Sequence, residues 1–481
     1  MSFQLTFDCL KEIFEFLEKD KATLFSCLLV NRIWCGISVI ILWRQICDIP
    51  KSIDTLIACL PNESKDLLLK NGFIISTPTS KLPLFNYPSF CKILPISCVI
   101  KRQRKFRSNC HKTSLLTREI LKMFMKQNSS LKELIYDIDY YEYKVINCSG
   151  AKKVPNYINF LDFPGARDYL KNISRLFCCS NTYPGFFYRL SQICHNIQLL
   201  NIEYENSFPI GLYDLINSQN NLKYFSLERR YGQYDEYNKN YTKIVSSLTN
   251  HSDTLKTLYL HGKENYGSLS FITKFTNLQE LDLSLEYENV DYFKELQYHT
   301  FPHLVSLHFN CPKVEILINF LKNNGKTLNN FYVEEYDVSL YLAIAKYCSN
   351  LKLLDIVIDE GESLKAIFTN CIQLESMLVE LNYSGKELLE IVARYSPENF
   401  HKLKLTNYRT ELLPEDYESF FTSWKDRIPL KSISFEIIDF MSYSSEETEE
   451  IMKKYKSLGV IKDFNCISYR YMNISSFLTK K

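Results

Sequence analysis

The chain has only 13 glycines among 481 residues, and none of them belongs to a phosphate-binding loop. Neither G-x-G-x-x-G nor G-x-x-x-x-G-K-[ST] occurs, and the G-x-S-x-G turn that presents a nucleophilic serine is missing too. No C-x-x-C pair occurs, so no zinc-finger pattern can be written. We therefore expect no catalytic residues, no cofactor and no metal, and a protein that is not an enzyme.

The chain also carries little excess charge of either sign. The formal net charge is +2, which gives no overall attraction to nucleic acid or acidic lipid. One basic run, KRQRKFR at Lys101–Arg107, leaves nucleic-acid contact or nuclear import open as an alternative. A single short patch in a nearly neutral chain favours a solvated connecting segment instead, so no nucleic-acid partner is expected.

Long apolar runs are interrupted. The densest stretch, Thr23–Ile46, contains Asn31 and Arg32 between its apolar runs, whereas a membrane-spanning helix needs about 20 predominantly apolar residues. The first twenty residues are too rich in charge for a signal peptide. The sixteen cysteines are scattered, many in apolar contexts typical of reduced thiols. We expect no membrane partner and a cytoplasmic or nuclear location.

What the chain does have is a repeat. The pattern Φ-x-x-Φ-x-Φ, with Φ apolar, occurs eleven times at intervals of 23 to 33 residues. Most intervals fall within the period of leucine-rich repeats, about 20 to 29 residues. The copies begin at Ile173, Ile197, Leu222, Leu255, Leu278, Leu304, Leu328, Leu351, Leu374, Phe400 and Leu430, with less regular copies at Leu131 and Ile461.

The spacing has a physical reason. The closing Φ-x-Φ alternates as a β-strand does, which buries both apolar residues and turns the residue between them to the other face. Between two such strands, Val314, Leu317, Ile318 and Leu321 lie at helical spacing, and Leu340–Asn350 is a second candidate helix. Strand–helix units of this size bury their apolar faces only when stacked. An ordinary α/β domain with leucine-rich strands is the alternative, which eleven consecutive copies disfavour.

The residue between the two apolar strand positions is expected on the inner, exposed face of such a solenoid. Aromatic anchors beside polar groups are typical of protein interfaces. The candidate target-binding group is therefore Tyr259, Asp282, His308, Tyr332 and Asp355. Because these side chains should be exposed, charge reversal at Asp282 and Asp355 together is expected to weaken target capture and leave thermal stability nearly unchanged.

Three short amphipathic helices are predicted within the first fifty or so residues, with a break at 20–23. A unit this small cannot hide all of its apolar surface, so a partner should cover some of it. The segment Leu5–Arg44 resembles the F-box through Asp8, EIFEFL at Glu12–Leu17, LLVNRIW at Leu28–Trp34 and LWR at Leu42–Arg44. Where the family usually begins Leu-Pro, this chain has Leu5-Thr6.

The resemblance implies a three-helix F-box over 1–46, a connecting segment over 47–112 and a curved leucine-rich-repeat solenoid over 113–481, an α/β architecture. It implies docking on a Skp-type adaptor, and we expect the large apolar residues of the segment to be its anchors. These are Leu10, Ile13, Phe14, Leu28, Val30, Trp34 and Trp43.

An F-box followed by leucine-rich repeats resembles the F-box/LRR subclass, which implies the substrate-recognition subunit of an SCF-type ubiquitin ligase. The adaptor would link the chain to a cullin, and the repeats would hold an unidentified target protein. Such a subunit does no chemistry and acts by bringing the target close to the ubiquitin-loaded enzyme. A Skp-binding adaptor or scaffold without a role in ubiquitination is the alternative, and an enzyme with an unrecognised pocket is a further one.

Overall fold

The chain forms two compact units, Met1–His251 and Ser252–Lys481. The computed structural model describes residues 6–49, 51–75, 83–101, 110–127, 130–136, 158–180, 182–204, 209–229, 241–262, 268–285, 293–310, 313–335, 337–358, 360–381, 384–407, 412–439 and 446–468. Leu5 and residues 102–107 of the basic run lie outside these ranges.

The first unit begins with helices and continues as alternating strands and helices. Its elements are α1 (Phe7–Glu15), α2 (Lys21–Cys27), α3 (Arg32–Leu42), α4 (Ser52–Cys59), α5 (Asn62–Lys70), α6 (Tyr87–Phe90), β1 (Ile93–Pro95), α7 (Ile96–Lys101), α8 (Cys110–Met125), β2 (Glu133–Tyr136), α9 (Ala166–Leu170), β3 (Arg175–Cys179), α10 (Phe186–Ser191), β4 (Leu199–Tyr204), α11 (Leu212–Asn217), β5 (Tyr224–Arg229) and α12 (Tyr241–Thr249).

The second unit alternates strands with helices or 3-10 turns. Its elements are β6 (Thr257–Gly262), a 3-10 turn (Leu269–Lys274), β7 (Glu280–Leu285), a 3-10 turn (Leu296–Tyr298), β8 (Ser306–Asn310), α13 (Val314–Asn324), a 3-10 turn (Gly325–Thr327), β9 (Asn330–Val333), α14 (Val338–Tyr347), β10 (Leu353–Ile358), α15 (Gly361–Asn370), β11 (Ser376–Leu381), α16 (Gly385–Tyr395), β12 (Lys402–Asn407), α17 (Pro414–Lys425), β13 (Ile433–Asp439), α18 (Glu446–Ser457) and β14 (Ile461–Ser468).

Within each unit, every strand pairs in parallel with the next strand along the chain. The ladders run from β1 to β5 in the first unit and from β6 to β14 in the second. Parallel neighbours need a crossover, which the intervening helices and turns supply. The predicted α/β class is confirmed. Strand β1 lies inside 47–112, so the parallel pairing begins within the segment expected to be a connection.

Burial follows the repeat closely. In the ten copies from Ile173 to Phe400, each of the three apolar positions is at most 2% exposed. The first Φ of each copy precedes its strand, and the other two lie on the strand face that packs against the helices and turns. These positions therefore form the core of both units. Replacing one of their leucines with alanine would cost about 2–5 kcal/mol.

Two sequence-based assignments need correction. In α13 the buried residues are Ile316, Leu317, Phe320 and Leu321, so the core-facing side is rotated from the predicted one. Leu430, read as the first position of the last regular copy, is 45% exposed. The register shows why, because Leu403 pairs with Phe435 and Leu405 with Ile437. The apolar pair of β13 is therefore Phe435 and Ile437, two residues later than predicted.

Buried amide side chains join successive repeats where helices end. Asn324, only 1% exposed, accepts a hydrogen bond from the backbone N–H of Phe301 at 2.7 Å and donates to the carbonyl of His299 at 2.9 Å. Gln219 does the same in the first unit, accepting from the N–H of Ile197 at 2.8 Å. Each amide satisfies backbone groups of the preceding repeat that are shut away from water.

We expect Asn324→Leu to lower the free energy of unfolding by about 2–3 kcal/mol, because it leaves the Phe301 N–H and the His299 carbonyl buried without their partner. Urea unfolding followed by circular dichroism measures the loss. The same change at the exposed neighbour, Asn323→Leu, breaks a hydrogen bond to the Gln297 carbonyl and should cost less than about 1 kcal/mol. Equal losses at the two positions would contradict the role of the buried amide.

No helix in the described part of the chain is long and apolar enough to cross a membrane. Among the described residues, several cysteines in apolar contexts are unpaired, and Cys27, Cys348 and Cys371 are also buried. Cys47 and Cys98 differ from that expectation, since a disulfide joins them with their Cα atoms 6.0 Å apart. This bond ties the segment after α3 to α7.

Candidate functional site

Each of the first three helices begins at a polar residue that caps it. Thr6 accepts a hydrogen bond from the N–H of Cys9 at 3.4 Å, Asp20 from that of Thr23 at 3.0 Å, and Asn31 from that of Trp34 at 2.9 Å. Such caps satisfy N–H groups that the first helical turn leaves unpaired. Thr6 therefore gives α1 a defined start.

Aromatic and ionic contacts hold these helices together. Phe14 of α1 meets Trp34 of α3 edge to face with ring centroids 5.1 Å apart. Arg44, after α3, lies 2.5 Å from Glu15 and 3.3 Å from Glu18. The hydrogen bond from Arg44 lowers the pKa of Glu15. The end of α1 is thus fixed to the end of α3 at neutral pH.

The seven predicted adaptor anchors divide into three kinds. Leu10, Phe14 and Trp43 are buried and belong to the core, Trp43 packing on Tyr87 at 4.4 Å. Leu28 and Trp34 are half-buried. Ile13 and Val30 are exposed, at 47% and 56%. Of the seven, only these last two are exposed enough to contact a partner directly.

Sequence reasoning missed further exposed apolar residues on these helices and directly after α1 and α2. They are Phe7, Phe16, Phe25, Leu29 and Ile33. Phe16 and Leu29 are 90% and 89% exposed, although leaving a large apolar side chain in water forgoes about 1.5–3 kcal/mol relative to burial. We call the seven residues Phe7, Ile13, Phe16, Phe25, Leu29, Val30 and Ile33 the N-terminal apolar surface. So many large exposed apolar residues within three short helices and their ends make this segment a candidate interaction site.

The predicted target-binding residues form a continuous row across the second unit. The register pairs Tyr259 with Asp282, Asp282 with His308, His308 with Tyr332, and Tyr332 with Asp355. We call these five residues the polar row. Side chains opposite one another in neighbouring strands lie within contact distance, so the five are placed side by side on one face of the sheet.

His261 joins this row from the same strand as Tyr259. It is two residues later and so faces the same side. Its Nε2 atom lies 2.8 Å from Asp282 Oδ1, and His308 Nδ1 lies 2.9 Å from that same oxygen. Burial raises the pKa of Asp282, but the two imidazoles outweigh it and hold the pKa at about 2. Burial lowers the pKa of His308, and Asp282 raises it above the usual histidine value.

Asp355, at the other end of the row, lies among like charges. Burial raises its pKa to about 7, with Glu334 and Glu380 acting in the same direction against His308 and Lys404. Burial likewise raises the pKa of Tyr332 to about 12. The face around Asp355 is therefore rich in carboxyl groups.

The expectation that the whole row is exposed is wrong. Asp282 is 3% exposed and His308 8%, whereas Tyr259, Tyr332 and Asp355 are half-buried. Alternation placed the side chains on the correct face, but neighbouring side chains on that face cover the middle of the row. Charge reversal at Asp282 should therefore destabilise the protein, contrary to the prediction from sequence.

We expect the stability of the chain to fall between about pH 4 and pH 7 through Asp355. Its folded pKa of about 7 exceeds the unfolded value of about 3.9, so the folded state holds the proton more tightly. The stabilisation by protonated Asp355 is fully present below the unfolded pKa and is lost as the pH rises through the folded pKa. A difference of three pKa units corresponds to ~4 kcal/mol of stability. We expect about half of that contribution, because Asp355 is only half-buried. Thermal unfolding of Asp355→Asn should lack this decline, while Glu362→Gln on α15 should keep it.

No protein-family model matches the chain, and no curated protein matches it. The functional argument therefore depends on the N-terminal apolar surface and the polar row.

Proposed function

We propose that the chain is the substrate-recognition subunit of an SCF-type ubiquitin ligase. In this proposal α1, α2 and α3 form an F-box that binds a Skp-type adaptor, and through it a cullin. The strand–helix units form a curved leucine-rich-repeat solenoid that holds a target protein. The chain carries no catalytic group of its own and acts by proximity.

The observation that supports adaptor binding best is the N-terminal apolar surface. Its residues are exposed around a core built from Leu10, Phe14 and Trp43, so the helices are packed and their outer side is still apolar. The sequence of this segment resembles the F-box, whose partner is a Skp-type adaptor. Burying several large side chains at the centre of an interface supplies most of its binding energy.

The polar row and its acidic neighbours support target binding on the sheet face. Aromatic rings at Tyr259 and Tyr332 offer apolar area with a polar end, as interface residues often do. Glu380 is half-buried and lies on the same side of β11 as Leu378, and Glu334 is exposed directly after the end of β9. A target with a basic, partly aromatic contact surface fits this chemistry.

We expect Glu334→Lys with Glu380→Lys to weaken target capture about tenfold or more, because like charges then face a basic target. Adaptor binding and thermal stability should change little, since both side chains reach water. Capture of target proteins by the full chain, quantified by mass spectrometry, measures the effect. Charge reversal on helix surfaces, Glu362→Lys with Glu387→Lys, is the matched control. If the helix variant loses targets and the sheet variant retains them, the assignment to the sheet face is wrong.

Ubiquitin transfer separates the ligase from a scaffold. A reconstituted complex of the chain, adaptor, cullin and ubiquitin-loaded enzyme should modify a captured target and should lose this activity when the N-terminal apolar surface is mutated. Adaptor binding with captured targets left unmodified would favour a Skp-binding scaffold.

A further inference from the structure

Three side chains of the second unit bring their ligand atoms together. Within the described residues, His261, Asp282 and His308 are a group whose ligand atoms all lie within 4.8 Å of one another. Asp282 Oδ1 lies 2.8 Å from His261 Nε2 and 2.9 Å from His308 Nδ1. Two imidazole nitrogens and one carboxylate oxygen thus approach a common point.

The backbone that carries these residues is rigid. They come from the adjacent strands β6, β7 and β8, and Asp282 pairs directly with His308 in the ladder. His261 lies two residues after Tyr259, the residue that pairs with Asp282. Ligands placed on neighbouring strands keep their spacing far better than ligands on loops.

Aromatic neighbours hold both imidazole rings. The ring of Tyr259 stacks on that of His261 with centroids 6.2 Å apart and planes at 23°. The ring of Tyr332 lies against that of His308 at 6.0 Å and 63°. The hydroxyl of Tyr259 donates to Glu280 at 2.9 Å, which fixes the tyrosine in turn. Outer contacts of this kind orient the ligands of metal sites.

Access and charge also suit a cation. The side chain of His261 is 22% exposed, whereas those of His308 and Asp282 are 10% and 4% exposed. Solvent therefore reaches the three residues mainly at His261. Glu334 and Asp355 act electrostatically on His308, so two further acidic groups favour positive charge at the site.

We propose that His261, Asp282 and His308 bind a divalent ion of the zinc class. Imidazole nitrogens with one carboxylate suit Zn²⁺ and its first-row neighbours, whereas Mg²⁺ and Ca²⁺ take oxygen ligands. Bonds of ~2.1 Å in tetrahedral geometry would separate the donors by about 3.4 Å, so each imidazole nitrogen would move away from Asp282 Oδ1 by about 0.5 Å. Three protein ligands leave a coordination position open toward the sheet face. The inference does not depend on adaptor binding.

Titration of the chelator-treated full chain tests the site. Calorimetry with Zn²⁺ should show one ion bound per chain with a micromolar or tighter Kd. Co²⁺ reports the ligand type, because cysteine ligands produce an intense thiolate charge-transfer band and imidazole with carboxylate does not. We expect visible d–d absorption without the thiolate band. A thiolate band, or no ion bound at a tenfold excess over micromolar protein, would overturn the proposal.

Variants connect the ion to these residues. His261→Gln should raise the Kd for Zn²⁺ about 100-fold, and Asp282→Asn should do the same where circular dichroism shows that it is folded. His195→Gln replaces an exposed histidine of the first unit and should leave the Kd unchanged. Because His261 is partly exposed, the His261→Gln variant is expected to fold. The test therefore remains valid even if Asp282→Asn does not fold. Equal affinity of the His261→Gln and His195→Gln variants would exclude the site.

Discussion

Phe16→Asp combined with Leu29→Asp should abolish co-purification of the chain with a Skp-type adaptor. The two side chains are 90% and 89% exposed, so their replacement removes apolar contact area without opening the core. Anchors at the centre of an interface contribute about 2 kcal/mol or more each. Losing two corresponds to about 4 kcal/mol, or roughly a thousand-fold in Kd.

The control for this variant is Ile74→Asp. Ile74 is 90% exposed in the same unit but lies after α5, outside the N-terminal apolar surface, so it tests whether any exposed apolar residue matters. Thermal unfolding of both variants should match that of the wild-type chain. Full adaptor binding by the Phe16→Asp, Leu29→Asp variant would show that the N-terminal apolar surface is not the docking site.

Asp282→Lys should lower the free energy of unfolding by about 4 kcal/mol or more. The new ammonium group would be buried beside His261 and His308, where the carboxylate now lies within 3 Å of both imidazoles. Breaking a buried ion pair costs about 3–5 kcal/mol because a charge is left without its partner. Urea unfolding in the presence of a chelator measures this cost without any contribution from a bound metal ion.

Asp355→Lys provides the comparison within the same row. Its site is half-buried and lies near Glu334 and Glu380, so a lysine there gains opposite charges. We expect a cost below about 1 kcal/mol. If Asp282→Lys and Asp355→Lys lowered the free energy of unfolding by similar amounts, the middle of the polar row would be as accessible to water as its end. That result would contradict the burial of Asp282.

The core of the fold could be predicted because a buried strand imposes a simple pattern. Leu258 and Leu260 are 0% and 1% exposed, as two apolar residues at a spacing of two require. The pattern failed at β13, where Leu430 and Ile433 also fit the motif. The strand register instead makes Phe435 and Ile437 the apolar pair, two residues later than the motif predicts. Strand β1 is three residues long and ends in proline, too short to show any period.

The site was only partly predictable for a different reason. The residue between two buried positions must face the other side, so Asp282 and His308 were found. His261 lies two residues after Tyr259, directly past the motif, and was overlooked although it shares that face. Counting i+2 positions would have found it. Helical spacing separates Phe14 from Phe16, but it also groups Ile13 with Phe14. Ile13 is nevertheless 47% exposed, because Phe14 and not Ile13 packs against Trp34.

Direct titration of a purified Skp-type adaptor with the wild-type chain tests the central claim. We predict a complex of one adaptor with one chain and a Kd below about 1 μM, as expected when several apolar anchors are buried together. The Phe16→Asp, Leu29→Asp variant should release no heat of binding under the same conditions. The absence of a complex between the wild-type chain and the adaptor at tens of micromolar would contradict the proposed function.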